Sequence, residues 1–108
     1  MLKIIIAKDF SETPGARHYY EGEFSGEQFR EEVLIPYYLK AIENSEKLVI
    51  DLDGCYGFAT SFLEESFGGL VRKLKQKGTL KNMEIICTDD STLVKLIEEY
   101  VKDAEDRL

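Results

Sequence analysis

The sequence predicts a single α/β domain, residues 1–108, in which a mixed sheet of about four strands carries about three helices. Short apolar runs rich in β-branched residues occur at 2–7, 48–52 and 83–87. Between them lie longer segments whose apolar residues recur at helical spacing. The chain of 108 residues is long enough for one compact domain and too short for two. Together these observations indicate helices packed on one sheet.

Composition narrows the classes of function. The net charge is -7, and an acidic chain argues against nucleic-acid binding, which needs a basic face to neutralise phosphates. No apolar run is long enough for a signal peptide or a membrane span, so we expect a cytoplasmic protein. With a single histidine, no metal site is expected, and no cofactor site is indicated either. Cys55 and Cys87 are expected to be reduced, buried thiols. The alternative, a disulfide between them, would require that the two strand ends be neighbours.

The first quarter of the chain is predicted to contain two strands. Residues 2–7 form the first strand, and a turn follows at 10–15, where Pro14 and Gly15 lie. Residues 18–22 are short and hold Tyr19 and Tyr20, which favours an edge strand.

The first long helix is predicted from residue 26 to about 42–44. Ser25 and Gln28 form a capping-box pattern at its start. Pro36 lies inside the helix, where it removes a backbone hydrogen bond and predicts a kink or a loosened turn.

The central strand, 48–52, leads into a second helix that starts at a capping Thr60 or Ser61 and ends near Lys77 with Gly78 as its left-handed cap. Leu63, Phe67, Leu70 and Leu74 form its predicted core stripe. Gly68 and Gly69 cost this helix roughly 1 kcal/mol each relative to alanine. That cost predicts the close approach of another backbone, either internal or from a partner. A last strand at 83–87 and a last helix at 91–104 complete the domain, with a frayed tail from about residue 102.

Asp51 and Asp53 offer one catalytic hypothesis. Asp-x-Asp-Gly after an apolar strand resembles the opening motif of haloacid-dehalogenase phosphatases, in which the first aspartate attacks phosphorus and the second acts as acid and base. Asp89 and Asp90 would stand for the later metal-binding carboxylates of that family. The alternative interpretation is structural: these aspartates end a strand and cap a helix. His18 is the only histidine, so a Ser–His–acid triad is not expected.

The loop after the central strand suggests recognition instead. Tyr56, Phe58 and Phe62 would form an apolar docking patch if they were exposed together. Thr60 and Ser61 lie beside them at a helix start, where the positive potential would stabilise an added phosphate. A further candidate is Arg17, which follows a glycine turn and would bind a carboxylate or a phosphate, or pair with a surface acid.

This stretch resembles the STAS domain of anti-sigma factor antagonists, whose Asp-Ser-Ser-Gly motif opens a helix. Residues 59–62, Ala-Thr-Ser-Phe, fall on that motif, and Thr60 takes the place of the phosphorylated serine. Residues 24–30 and 57–70, with the turn at 14–17, are more closely similar to a STAS-like family of unknown function, made of short bacterial proteins.

The resemblance implies a STAS-like fold and a non-enzymatic regulatory module that binds a protein partner, with a histidine-kinase-like ATPase as the candidate. The partner would contact Tyr56, Phe58, Phe62, Gly68 and Gly69, and phosphorylation of Thr60 or Ser61 would switch binding. Ala59 and Phe62 depart from the antagonist motif. The alternatives are the magnesium phosphatase and a homodimer that self-associates through the glycine face.

Overall fold

The computed structural model describes residues 2–108. Three strands, β1 (Leu2–Ile5), β2 (Leu48–Asp51) and β3 (Met83–Ile86), form a sheet in the order β1-β2-β3. Both pairings are parallel, with Leu48 of the central strand opposite Leu2 on one side and Met83 on the other. The prediction of a mixed sheet with about four strands is therefore wrong: within residues 2–108 the sheet has three strands, all parallel.

The strand expected at residues 18–22 is a short 3-10 turn, Tyr19–Glu21. Local bonds take the backbone donors that a strand would offer to a sheet. The N–H of His18 donates to Glu21 Oε1 at 2.9 Å, and the N–H of Tyr19 donates to Glu27 Oε1 at 3.1 Å. Tyr20 is 85% exposed, so the segment has little apolar surface to bury against a neighbour.

Within residues 2–108 four helices accompany the sheet, instead of the predicted three, because residues 6–9 form a short helix where the first strand was expected to continue. Two of the four contain a π-helical turn. The two regular helices are α1 (Ile6–Asp9) and α4 (Thr92–Asp106). Helix α2, residues 26–43, consists of Gly26–Phe29, the π turn Arg30–Leu34 and Ile35–Glu43. Helix α3, residues 60–74, consists of Thr60–Leu63, the π turn Glu64–Gly68 and Gly69–Leu74. Within residues 2–108, none of the helices combines the length and the apolar character that crossing a membrane requires.

The start of α2 confirms the predicted cap. Ser25 Oγ accepts a hydrogen bond from the N–H of Gln28 at 3.0 Å, and Gln28 Oε1 accepts one from the N–H of Phe24 at 3.0 Å. The loosened turn expected near Pro36 is the π turn Arg30–Leu34, which ends two residues before the proline.

The ends of the other helices differ from the prediction. α3 ends at Leu74, because Lys75 already has a left-handed conformation with φ 54°. Gly78 has φ 84° but precedes a separate 3-10 turn, Thr79–Asn82, instead of capping α3. α4 continues to Asp106, so residues 102–106, placed by the sequence in a frayed tail, are helical.

Aromatic side chains fill the space between α2 and α3. The rings of Phe29 and Phe62 lie 5.8 Å apart, and both are fully buried. Gly26 permits this close packing, since a Cβ at that position would lie 2.6 Å from the carbonyl oxygen of Phe62. The predicted core stripe of α3 is confirmed, with Leu63, Phe67 and Leu70 fully buried and Leu74 partly buried against the core.

Candidate functional site

The carboxyl ends of β2 and β3 meet in a network centred on Asp53. Its Oδ1 accepts hydrogen bonds from the N–H groups of Thr88 at 2.8 Å and Asp89 at 2.9 Å. Its Oδ2 accepts from the hydroxyl of Thr88 at 2.6 Å. Asp51 Oδ1 in turn accepts from the N–H of Asp53 at 2.9 Å. These bonds fasten the loop after β2 to the loop after β3.

This network accounts for Asp51 and Asp53 without catalysis. Both carboxylate oxygens of Asp53 already accept hydrogen bonds from the protein, which does not favour its use as an acid or base. The geometry therefore does not support the phosphatase alternative. Across the described part of the chain, no group of three or more His, Cys, Asp or Glu side chains is arranged to hold a metal ion.

The stability of the protein should depend on pH through Asp53. Hydrogen bonds from the hydroxyl of Thr88 and from the N–H groups of Asp89 and Thr88 lower the pKa of Asp53 below its ordinary 3.8. A lowered pKa in the folded state stabilises the fold above the unfolded-state pKa, and the stabilisation is lost as pH falls through the folded-state value. The free energy of unfolding is thus expected to decrease as pH falls below about 4, and to decrease less in Asp53→Asn. Urea denaturation across pH 7 to 3 measures this, and an NMR titration midpoint for Asp53 at or above 3.8 would contradict it.

A cavity of about 240 Å³ lies beside this network, between the two loops. Its lining combines apolar, thiol and acidic side chains: Leu52, Cys55, Tyr56, Gly57, Phe58, Cys87, Asp89, Asp90 and Leu93. Tyr56 is 85% exposed at this cavity, whereas Phe58 is half-buried with its ring 5.8 Å from that of Phe62. The loop thus presents one large, exposed aromatic side chain.

The start of α3 places its two hydroxyl residues in helical positions. Ala59 is the N-cap, with an extended backbone and no side-chain capping bond. The prediction that Thr60 or Ser61 caps the helix is therefore wrong. The N–H groups of Phe62 and Leu63 donate to the carbonyl oxygen of Ala59. Thr60 is exposed and Ser61 is half-buried.

Phe62 does not belong to an exposed patch. Its side chain is fully buried, and its ring lies 6.2 Å from that of Phe10 as well as close to Phe29 and Phe58. The docking hypothesis required that Phe62 and Tyr56 be exposed together. Phe62 does not meet that condition, because it lies in the first turn of α3 on the side that faces the core. Tyr56, with Thr60, forms the exposed part of the proposed patch.

Gly68 and Gly69 are also buried, and their neighbours are side chains of the same chain. A Cβ at Gly68 would lie 2.5 Å from Glu64 Oε2, and a Cβ at Gly69 would lie 2.7 Å from Arg30 Nη1. The predicted approach of another backbone is therefore wrong: the glycine pair makes room for charged side chains. A partner or a second copy could reach these glycines only if those side chains moved.

The charged side chains form an arginine–glutamate cluster, composed of Arg17, Arg30, Glu64, Glu65 and Arg72. Arg17 Nη1 contacts Glu64 Oε1 at 2.6 Å and Glu65 Oε1 at 3.1 Å. Arg72 Nη1 contacts Glu64 Oε2 at 2.7 Å. Arg30 pairs with Glu65, and both residues are buried, at 8% and 9% exposure. The two π turns meet here, since Arg30 opens one and Glu64 opens the other.

The cluster is electrostatically satisfied. Burial opposes ionisation of Glu64, but hydrogen bonds from Arg72 and Arg17 outweigh it and lower the pKa of this carboxyl. Because the arginines are engaged with carboxylates of the same chain, the cluster fastens the 14–17 turn and α2 to α3. This assigns Arg17 to pairing with an acid, one of the two roles that the sequence left open.

The family model of the STAS-like domain of unknown function (DUF4325) matches residues 25–93, from the Ser25 cap to the cavity wall at Leu93. The chain belongs to this family. The resemblance drawn from the sequence is thereby confirmed at the level of the family. No curated protein and no solved structure matches the chain.

The two thiols of this STAS-like domain are free, as predicted, and both line the cavity. β2 and β3 are neighbours, so the condition for a disulfide is met, yet the sulfurs are not bonded. Burial raises the pKa of Cys55 to about 11 and also raises the pKa of Cys87. Thiols with raised pKa values are protonated at neutral pH and are poor nucleophiles.

Sequence reasoning missed Arg30 and Glu65 as a buried pair. In the sequence, Arg30 follows the apolar Phe29, and Glu65 lies in the first turns of a helix, where the helix dipole alone accounts for a carboxylate. The available indication was the glycine pair itself: a helix that tolerates two glycines makes room for something, and the arginines were candidates.

Proposed function

We propose that this STAS-like domain is a non-enzymatic regulatory module that binds a protein partner through an edge surface, defined as Tyr56, Phe58, Thr60 and Ser61. The observation that carries the proposal is the 85% exposure of Tyr56 in the loop before α3. An exposed tyrosine supplies a large, rigid, amphipathic contact area, and tyrosine is enriched among the residues that dominate binding energy. The proposed partner is a histidine-kinase-like ATPase, by analogy with the anti-sigma factor antagonists that residues 59–62 resemble.

The structural roles of the catalytic candidates among residues 2–108 support a binding role. Asp51 and Asp53 bond the two loops together, and the raised pKa values of Cys55 and Cys87 make them poor nucleophiles. The remaining large polar feature, the arginine–glutamate cluster, is internally paired.

Truncating Tyr56 should weaken partner binding without unfolding the domain. If Tyr56 is a dominant contact, Tyr56→Ala is expected to weaken binding of a histidine-kinase-like ATPase from the same organism by about thirtyfold or more. Tyr20→Ala is the matched control, because Tyr20 is also a tyrosine with 85% exposure. Isothermal titration calorimetry with the purified proteins measures both. Equal affinities for the two variants would overturn the assignment of the edge surface.

Phosphorylation of Thr60 is proposed as the switch. Thr60 is exposed at the first position of α3, and a phosphate there would add about -1.5 to -2 charge beside Tyr56. Incubation with the ATPase and ATP is expected to add one phosphate by intact-mass analysis. The phosphate should be absent from Thr60→Ala and present in Thr79→Ala, since Thr79 is fully buried. If Thr60→Ala still gained a phosphate, Thr60 would not be the phosphorylation site, and Ser61 would be the next candidate.

A further inference from the structure

The cavity between the loops has two unlike sides. Leu52, Phe58 and Leu93 supply apolar wall, whereas Asp89 and Asp90 supply carboxylates. Its volume of about 240 Å³ is below the range of about 300–1,000 Å³ that is usual for small-molecule sites. This size suits a single inserted side chain better than a whole ligand.

The carboxylates of this cavity are only partly used by the protein. Asp89 Oδ2 accepts from the N–H of Gly54 at 3.2 Å, and Asp90 Oδ1 accepts from the N–H of Thr92 at 3.0 Å and from its hydroxyl. Among residues 2–108, the second oxygen of each carboxylate makes no hydrogen bond, and neither residue forms an ion pair with a lysine, arginine or histidine.

Further negative charges act electrostatically on the two thiols that line this cavity. Burial raises the pKa of the Cys55 thiol, and the negative charges of Glu12, Asp51 and Asp89 raise it further. Asp53 and Asp90 act likewise on Cys87. The arginines described above lie at the other charged region, the arginine–glutamate cluster. The cavity is therefore a negative, partly apolar recess with an exposed tyrosine beside it.

We infer that this cavity receives an arginine side chain of the protein partner. The inference deepens the proposed function and rests on it. A guanidinium would meet the free oxygens of Asp89 and Asp90, while its aliphatic stem lay against Leu52 and Leu93. The plane of the guanidinium can also stack on the ring of Tyr56. Arginine suits the recess better than lysine because it is planar and more weakly hydrated.

Charge complementarity extends to the whole chain. The net charge of -7 favours a basic partner surface, and opposite potentials speed the encounter of two proteins. The arginine would act as the specific anchor within that general attraction, so its loss should affect affinity more than it affects the salt dependence of association.

An NMR titration of the full chain with N-acetyl-arginine amide tests the inference. Amide shifts are expected at residues 52–58 and 87–93, with weaker shifts for N-acetyl-lysine amide and none of that pattern for N-acetyl-norleucine amide. The double variant Asp89→Asn and Asp90→Asn keeps oxygen acceptors for Gly54 and Thr92 but removes both charges. It is expected to weaken arginine binding by about fivefold. The matched control Glu98→Gln and Glu99→Gln removes two exposed charges from α4 and should leave binding unchanged.

Three results would overturn the arginine site. They are amide shifts spread over the acidic surface, stronger binding of the norleucine or lysine probe than of the arginine probe, and an equal effect of the two double variants on arginine binding. Failure of this site is distinguishable from failure of the docking function. If the ATPase binds the Asp89→Asn and Asp90→Asn variant as it binds the wild type, while Tyr56→Ala abolishes binding, the docking function stands and the arginine site is wrong.

Discussion

Replacing Phe62 with alanine is expected to lower the free energy of unfolding by about 3–5 kcal/mol. Phe62 is fully buried, and its ring lies within 6.2 Å of the rings of Phe10, Phe29 and Phe58. The substitution removes the ring and leaves a cavity that the neighbouring α2 backbone can fill only in part, because Gly26 already holds the two helices in close contact. Since domains of this kind are stable by about 5–15 kcal/mol, this loss is a large fraction of the total.

Urea denaturation monitored by circular dichroism measures the effect, with Tyr56→Ala as the control. Tyr56 is 85% exposed, so its truncation should change the free energy of unfolding by less than about 0.5 kcal/mol. A Phe62→Ala variant as stable as wild type, with weakened partner binding, would return Phe62 to the docking surface and contradict its place in the core.

Replacing Glu65 with glutamine is expected to lower the free energy of unfolding by about 1.5–3 kcal/mol. The change keeps the shape of the side chain but removes the carboxylate that pairs with Arg30 Nη1 and one of the two carboxylates that pair with Arg17. Arg30 keeps Glu31, whose Oε2 lies 2.8 Å from Arg30 Nε. Because Arg30 keeps Glu31 and Arg17 keeps Glu64, the expected loss is that of the charge-assisted hydrogen bonds that Glu65 accepts. Chemical denaturation at neutral pH measures the loss.

Two further variants separate charge from packing. Arg30→Met combined with Glu65→Leu removes both charges and is expected to recover much of the stability lost in Glu65→Gln. Asp106→Asn breaks an exposed pair with Lys102, in which the charged atoms are 3.7 Å apart, and should cost less than about 1 kcal/mol. If Glu65→Gln behaved like Asp106→Asn, the buried pairing of Glu65 with the arginines would contribute no more to stability than an exposed ion pair.

The elements with clear local patterns could be predicted from the sequence. The strands of the sheet, the Ser25 cap and the core stripe of α3 follow from apolar periodicity and capping chemistry, which act between residues close in the chain. The strand expected at 18–22 failed because Glu21 and Glu27 offer the backbone nearer partners than a sheet edge would.

The candidate site was predicted less completely, for a physical reason. Tyr56 lies in a loop, where the sequence has no periodic apolar pattern from which burial or exposure could be predicted. Phe62 is buried because its angular position on α3 directs its ring toward α2. The pairing of Arg30 with Glu65, and of Arg17 with Glu64, joins residues more than thirty positions apart in the chain. Such contacts depend on how α2 and α3 dock, which periodicity does not encode.

Asp53 and the glycine pair have structural roles within the domain. Asp53 fastens two loops, and Gly68 and Gly69 lie under the arginine–glutamate cluster. The edge surface and the acidic cavity adjoin each other, and Tyr56 belongs to both.

Hydrogen–deuterium exchange of the full chain, alone and with the histidine-kinase-like ATPase, tests the docking assignment most directly. The account predicts slower exchange in residues 53–61 and 87–93, the loops around Tyr56, with little change in α2. Protection concentrated instead on the exposed Leu39 and Ile42 of α2 would contradict it, because the partner would then bind on a different surface of the domain.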